Sequence, residues 1–566
     1  MGDPSDDDRL ITEAEDLAAR LLARAGELRT RADRARARQV ASMVADRDSF
    51  DFLVTLTDEL LRIHDPDTFA RRYRQLLDRT GVPTFAGPVD RALLRAGTVA
   101  ARVAPRVLRD LVGANVRREL ASIVLDARPA PVRREVRARR AEGFTLNVNP
   151  LGEAVLGDEE ADQRHGQAME LLARPEVDYV SVKASAVCAN LDVIDFDRSV
   201  ERIAGRFAEL CTAAQASSPP KFVNLDMEEL ADLWITVRAF LDALSRPDLR
   251  GFSAGIALQA YLPDSVAAFD EVAEFARRRV RSGGAPVKVR LVKGANLAME
   301  RVDAEVHGWH QAPFATKTEV DGNYKRLLDR ALDPHLDGAL WIGVASHNLF
   351  DLAWALTLVR HRPDDHGGGS VADRVDIEML HGMADAEARA LVEQTGRVVL
   401  YTPVVAPADF GAATAYLVRR FDENTAPENF LTHLPVLEAD SAAWADQAAR
   451  FRSSVRVRHE PPGAPRRHRR PDPPCDRFWN QPDTDTTVAA ERRRIAEALR
   501  SFRYPDRLTA RIDGVEVTDP GDDAGPVAVV DDPNTSRPAY RSVGLGPAAV
   551  DRAVAVAREA STRWRA

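Results

Sequence analysis

Cysteine is almost absent. Cys188, Cys211 and Cys475 are the three in 566 residues, too few for a disulfide framework or a four-thiolate metal site, so a reducing compartment is expected. Lysine is scarce as well: of 78 basic residues six are lysines (Lys183, Lys221, Lys288, Lys293, Lys317 and Lys325) and 72 are arginines. Under such a bias a retained lysine is informative, because a compact ammonium and a flat guanidinium do not substitute for one another at a tight site. Taken singly, each lysine still reads first as an ordinary surface charge. Long apolar runs are missing: the most apolar window, 340–359, is broken by His347, Asn348 and Asp351, too polar for a membrane span. The start, MGDPSDDD, is acidic and has no apolar core, so no signal peptide is expected. HExxH, CxxC and GxxxxGK[ST] do not occur, and no GxGxxG turn joins a strand to a helix. The local signatures of zinc proteases, redox dithiols, P-loops and dinucleotide folds are therefore all lacking.

What remains is an ordinary globular composition, 45% hydrophobic and 29% charged, with net charge −9 and pI about 5.8. The length suits roughly three to four domain-sized pieces. From residue 9 to about 140 apolar residues recur at helical spacing (Leu17, Leu21, Leu22; Leu53, Leu56, Leu60, Leu61). Arginine clusters there are interleaved with acids in a net acidic chain, so solvated helix faces are expected and not nucleic-acid binding.

From Phe144 the pattern changes to eight β-rich runs separated by helical stretches: FTLNVN (144–149), DYVSVKAS (178–185), KFVNLDM (221–227), AGIALQAYL (254–262), VKVRLVKG (287–294), LWIGVASHN (340–348), VDIEML (375–380) and RVVLYT (397–402). Near-continuous apolar runs alternating with amphipathic helices argue for a parallel sheet covered on both faces, and eight units suit a closed (β/α)8 barrel. An open doubly wound sheet is the runner-up. The expected α/β architecture is a helical arm (1–143), a barrel (144–440), a Pro- and Arg-rich linker (441–505) and a short terminal piece (506–566).

In such a barrel the active site forms at the C-terminal ends of the strands. Lys183, Asp226, Gln259, Arg290 with Lys293, His347 with Asn348, Glu378 and Tyr401 lie within or just past the apolar runs, where a buried polar group needs a partner. Nine on one rim favour a site. Tyr416, Arg419 and Arg420 fall at i, i+3 and i+4, on one helical face. Two guanidiniums beside a phenol can hold a small carboxylate; a surface salt-bridge cluster with Asp422 and Glu423 is the alternative.

The ordered series VSVKAS, VNLDMEE, LQAYLPDS, VRLVKGANLAME, ASHN, EMLHGM and AYLVRRFDENTAPENF resembles the proline dehydrogenase domain of bifunctional proline utilization A flavoproteins, over about Leu151 to His433. FWNQPDTDTT, DDPNTSRP and a terminal TRW resemble the linker and opening strands of the aldehyde dehydrogenase half. The resemblance implies non-covalent FAD, oxidation of L-proline to Δ1-pyrroline-5-carboxylate and electron transfer to a membrane quinone. It also implies a cytoplasmic protein with peripheral contact at the inner face of the plasma membrane, and leaves homo-oligomerisation open.

By the same resemblance Asp226, Arg290 and Lys183 are the catalytic candidates. Arg290 would lie near flavin N5, Gln259 at the flavin edge, and Asp226 would brace the cofactor. Lys293, Gly294 and Ala295 would line the dinucleotide, with Thr316 and Lys317 as further phosphate candidates. His347 and Asn348 would reach the ribose and adenine side, Glu378 would sit near the flavin, and Glu423 would tether an arginine or the ribityl chain. Arg419, Arg420 and Lys183 would pair with the proline carboxylate between Tyr401 and Tyr416. The chain departs from the pattern twice: Asn296 stands where many relatives have tyrosine after KGA, and Glu378 where glutamine is usual.

Two alternatives come from other classes. A metal-hydrolase barrel would use Asp226, His347, Glu378 and His381. A truncated remnant acting as an assembly module would account for an aldehyde dehydrogenase start that reaches Ala566 without a catalytic cysteine.

Overall fold

A computed structural model describes residues 4–31, 33–34, 47–83, 87–120, 123–152, 155–336, 338–362, 370–409, 416, 428–469, 480, 483–503, 507–517, 528–531, 538–542 and 544–564. The chain forms two compact units, Met1–Val488 and Ala489–Ala566.

In the first unit every run expected to be a strand is one. We number them β1 (Phe144–Pro150), β2 (Tyr179–Lys183), β3 (Phe222–Asp226), β4 (Gly255–Gln259), β5 (Val287–Val292), β6 (Leu340–Ala345), β7 (Val375–Leu380) and β8 (Val398–Val405). All pair in parallel with their neighbours in order, and β8 returns to β1 in the register Phe144↔Val398 through Pro150↔Val404, closing the barrel. The open-sheet alternative is thereby excluded. A two-residue strand, Leu125–Asp126, adds to β8 at Val404 and Val405; the helical periodicity of the arm gives no sign of it.

Outward strand residues such as Val180, Val223, Leu258, Leu291, Ile342 and Leu400 pack with Phe207, Phe240, Phe269, Phe350 and Trp354 from the surrounding helices, each full burial contributing ~1.5–3 kcal/mol. The helices start on local signals. Thr316 and Glu319 form a capping box for Lys317–Ala331, and Asn348 caps Leu349–His361 by accepting from Phe350 N at 3.0 Å.

Helices of the arm bury a second cluster (Phe52, Phe69, Tyr73, Leu76, Leu108) that also takes in Leu151, Val405 and Tyr416. The arm thus packs beside residues that follow β1 and end β8, at the C-terminal end of the barrel. Pro4–Leu28 lies along Leu349–His361 and Asp385–Thr395, where Glu13 pairs with Arg360 and with His361 (2.6 Å) and Arg24 with Glu393 (2.6 Å). Within the segment expected as a linker, helix Ala442–Arg456 buries Phe451 and Val455, and Arg458 bonds Asp7 and Asp329, both at 2.8 Å.

The second unit holds helix Ala489–Ser501, a small sheet in which Pro538–Ser542 pairs with Arg507–Leu508 and Ala528–Asp531, a hairpin, and helix Pro547–Trp564. The hairpin, Arg511–Ile512 with Val515–Glu516, turns at Asp513 and Gly514, whose φ angles are 54° and 74°, the conformation that an Asp-Gly pair favours. No helix among the described residues is long and apolar enough to cross a membrane.

Candidate active site

The barrel interior is polar, and its polarity has a period of two. Asn147 and Asn149 on β1, Ser181 and Lys183 on β2, Asn224 and Asp226 on β3, Lys288 and Arg290 on β5, and Asp376 and Glu378 on β7 are pairs at i and i+2, hence on one strand face. Unpartnered, such a lining would be prohibitive in a low-dielectric interior. Here the charged members are paired between strands, while the buried side chains of Asn147 and Ser181 make no hydrogen bond among the described residues.

Glu378, fully buried, lies 2.6 Å from Lys288 Nζ and 2.7 Å from Arg290 Nε. Asp376 lies 2.8 Å from Lys288. Gly343, opposite Arg290 in register, makes room: a Cβ there would collide with the Glu378 carboxylate and the Lys288 side chain. Arg290 Nη1 is 3.9 Å from Asp226, and its guanidinium sits 4.4 Å from the centre of the Tyr401 ring. Tyr401 donates its hydroxyl to Asp226 at 3.0 Å and accepts from Asn149; Asn224 donates to the other Asp226 oxygen at 2.7 Å.

Burial works against the charge of Lys288 and of Arg290, but the surrounding carboxylates, Glu378 first, outweigh it and hold both pKa values above their ordinary range. For Asp226 burial wins, pushing its carboxyl up against the pull of Arg290, the Tyr401 hydroxyl and Lys183.

A second cluster lies past the ends of β5 and β6. Lys293 bridges Asp321 and Asp351, both at 2.6 Å, Lys325 lies 2.7 Å from Asp351, and Lys317 pairs with Asp321. Burial opposes the Lys293 ammonium, yet Asp321 and Asp351 keep it charged, its pKa above normal. Lys317 is instead pushed down to about 8, by burial and by Lys293, against Asp321. Three lysines thus face two aspartates, an excess of one positive charge. Beside them Gly294 has φ +119°, and a Cβ would run into the Tyr261 ring, so glycine is required on both counts.

The remaining candidates fall as follows. Lys183 is held by Glu228 at 2.6 Å. Gln259 donates to the carbonyls of Glu228 (2.7 Å) and Met227 (3.3 Å). His347 Nε2 accepts from Leu380 N at 3.1 Å. Asn348 and Thr316 are helix caps. Ala295 is exposed. Tyr416 is buried in the arm's cluster. Arg419, Arg420 and Glu423 lie outside the described residues. The metal grouping does not form: Glu378 is taken up by two cations, His381 is 3.1 Å from Glu135, and no three His, Cys, Asp or Glu side chains gather as metal ligands among the described residues.

The expectation that most lysines are surface charges is overturned. None of the six is exposed, and Lys288 and Lys325 are 2% and 1% accessible. Sequence reasoning also missed Asn149, Asn224, Lys288, Asp376, Asp321 and Asp351. The signal for three of them was present: Asn224, Lys288 and Asp376 each stand two residues before a named candidate. Asp321 and Asp351 sit in helical stretches, and nothing local marks them.

A model of the proline dehydrogenase family matches residues 132–433. Among solved structures, proline utilization A from Corynebacterium freiburgense is 42% identical, covering 71% of this chain and 38% of that one, with TM-score 0.60. The Bdellovibrio bacteriovorus protein, inactivated by N-propargylglycine, is 23% identical over 95% of this chain and 52% of its own, with TM-score 0.71. A Bradyrhizobium japonicum proline utilization A mutant is 20% identical over 90% and 52%, with TM-score 0.59. The chain therefore spans between 38% and 52% of the length of these relatives. No curated protein matches it.

Proposed function

The chain belongs to the proline dehydrogenase family, and from that premise we propose that it oxidises L-proline to Δ1-pyrroline-5-carboxylate with FAD in the barrel mouth and a membrane quinone as electron acceptor. The observation that carries this reading is Arg290, buried and kept charged between Glu378 and Asp226 beneath the Tyr401 ring.

The residues present fit a flavin dinucleotide. The uncompensated lysine charge around Lys293 suits a diphosphate. Lys293, Gly294, Ala295, Thr316, Lys317, His347 and Asn348 would hold the dinucleotide, Gln259, Arg290 and Glu378 the ring system, and Glu423 the ribityl side. When bound, the flavin supplies an acceptor for the hydride leaving proline C5.

The chain's own side chains do the rest. Arg290 places fixed positive charge where electron density arrives, with Glu378 and Asp226 setting its position. Lys183, Arg419 and Arg420 pair with the substrate carboxylate and fix the orientation of the ring. Tyr401 and Tyr416 wall the ring. Asp226, whose carboxyl is shifted upward by burial, braces the Tyr401 hydroxyl.

Anaerobic titration of the flavin-loaded protein with L-proline tests the reading: the flavin band should bleach. Protein that stays colourless after flavin supplementation, or a band that proline leaves intact, overturns it. Arg419→Met should raise KM for proline far more than it lowers flavin content, and equal loss of both would contradict the assigned role.

A further inference from the structure

Glu228 stands two residues beyond β3, and its main chain is unusually well held. Its carbonyl accepts from Gln259 Nε2 at 2.7 Å, from Asn296 Nδ2 at 3.2 Å and from the Tyr261 hydroxyl at 3.5 Å. From this anchored point the carboxylate reaches Lys183 Nζ at 2.6 Å, and Ser185 donates its hydroxyl to the second oxygen at 3.3 Å. The side chains of Lys183 and Glu228 keep 13% and 23% of their accessibility, so the pair borders the open mouth. Asn296 is itself buried and begins helix Leu297–Val306. At this position the resemblance leads one to expect a tyrosine; here an amide replaces an aromatic wall and adds a donor to the Glu228 carbonyl.

We propose that Glu228 is a positioning residue that competes with the substrate carboxylate for Lys183, and that Asn296 locks the main chain presenting it, so that the two together set the KM for the imino acid. The inference rests on the proposed function, because it needs a carboxylate substrate at Lys183. An ammonium already engaged at 2.6 Å offers an incoming carboxylate either a partner that must first be released or a site beside a like charge, and both weaken binding. Nothing in this competition touches the reacting C–H bond, so it acts on substrate binding and not on turnover.

Glu228→Gln keeps the shape and an acceptor oxygen for Lys183 while removing the charge. We expect KM for L-proline to fall about tenfold with kcat within about twofold. Cyclopentanecarboxylate has the same ring size and carboxylate but no nitrogen to oxidise, and its Kd, measured by calorimetry on the holoenzyme, should fall by the same factor. The gain should vanish in a Lys183→Met background, a coupling that a general structural effect would not produce. Asn296→Ala, which frees the main chain without touching the pair, should lower both constants by about threefold and serves if Glu228→Gln does not fold. Unchanged or raised constants in both variants, or a gain that survives loss of Lys183, would overturn the proposal. If the unaltered holoenzyme neither binds cyclopentanecarboxylate nor is reduced by proline, the functional reading fails and this inference with it; if it does both and the variants do not tighten binding, Glu228 alone is misassigned.

Discussion

Arg290 and Glu378, 88 residues apart in the chain, meet inside the barrel at 2.7 Å, and the same carboxylate takes Lys288 at 2.6 Å. One buried anion thus serves two buried cations. Glu378→Gln should lower the free energy of unfolding by ~2–4 kcal/mol, since removing one member of a buried charge set strands the others. On the proposed function it should also raise the reduction potential of a bound flavin, by removing fixed negative charge beside Arg290. Chemical denaturation and a redox titration check the two effects, and a variant as stable as the parent would overturn the claim that this carboxylate holds the two cations in place.

Gly294→Ala should destabilise by ~1–3 kcal/mol and, on the proposed function, reduce flavin retention, because φ +119° and the Tyr261 ring both exclude a Cβ. Gly338 supplies the comparison: its φ is +69°, but a Cβ there would meet open space, with nothing within 4 Å, so Gly338→Ala should cost ~1 kcal/mol. Thermal melts and flavin absorbance per chain separate strain from collision. Equal costs at the two sites would refute the collision.

Glu135 bonds His381, and that hydrogen bond, with further help from Arg139 and against burial, pulls its pKa from 4.5 down to about 2. A carboxyl depressed in the folded state stabilises fully above its unfolded pKa and loses that contribution as pH falls through the folded value. Glu135→Gln should therefore be less stable than the parent at neutral pH, with the difference shrinking from about pH 4.5 toward pH 2. Acid unfolding of both proteins followed by circular dichroism measures it, and a gap that widens with acid would reverse the sign.

Tyr401 connects Asn149 to Asp226 through its hydroxyl while its ring covers Arg290. Tyr401→Phe keeps the ring and removes the bridge. A loss of about 1 kcal/mol in stability and about tenfold in kcat/KM for proline is expected, with flavin content retained. Steady-state kinetics at saturating flavin decide it; kinetics matching the parent would place the hydroxyl outside the chemistry.

Much of the fold was legible because each element carried a local signal. All eight strand runs were near-continuous apolar stretches separated by amphipathic ones, and each became a strand. The strand-end residues Asp226, Arg290, Glu378 and Tyr401 could be named because polar groups inside apolar runs stand out, and the structure brings these four together. Leu125–Asp126 was not legible: two residues carry no periodicity, and their strand exists because the edge at Val404 and Val405 receives them. Asp321 and Asp351 were not legible either, for on an isolated helix they look like any solvated acid.

The sequence by itself determined the order of strands and helices and the strand face on which each polar residue stands. Tertiary structure alone decided which charge meets which. Periodicity assigns a side chain to a face but says nothing of its neighbour across the barrel, and the partnerships of Arg290 with Glu378, Lys293 with Asp321 and Asp351, and Lys183 with Glu228 arise only when closure brings distant strand ends within hydrogen-bond reach. In a low-dielectric interior those partnerships decide whether each group keeps its charge, and so what the site can do.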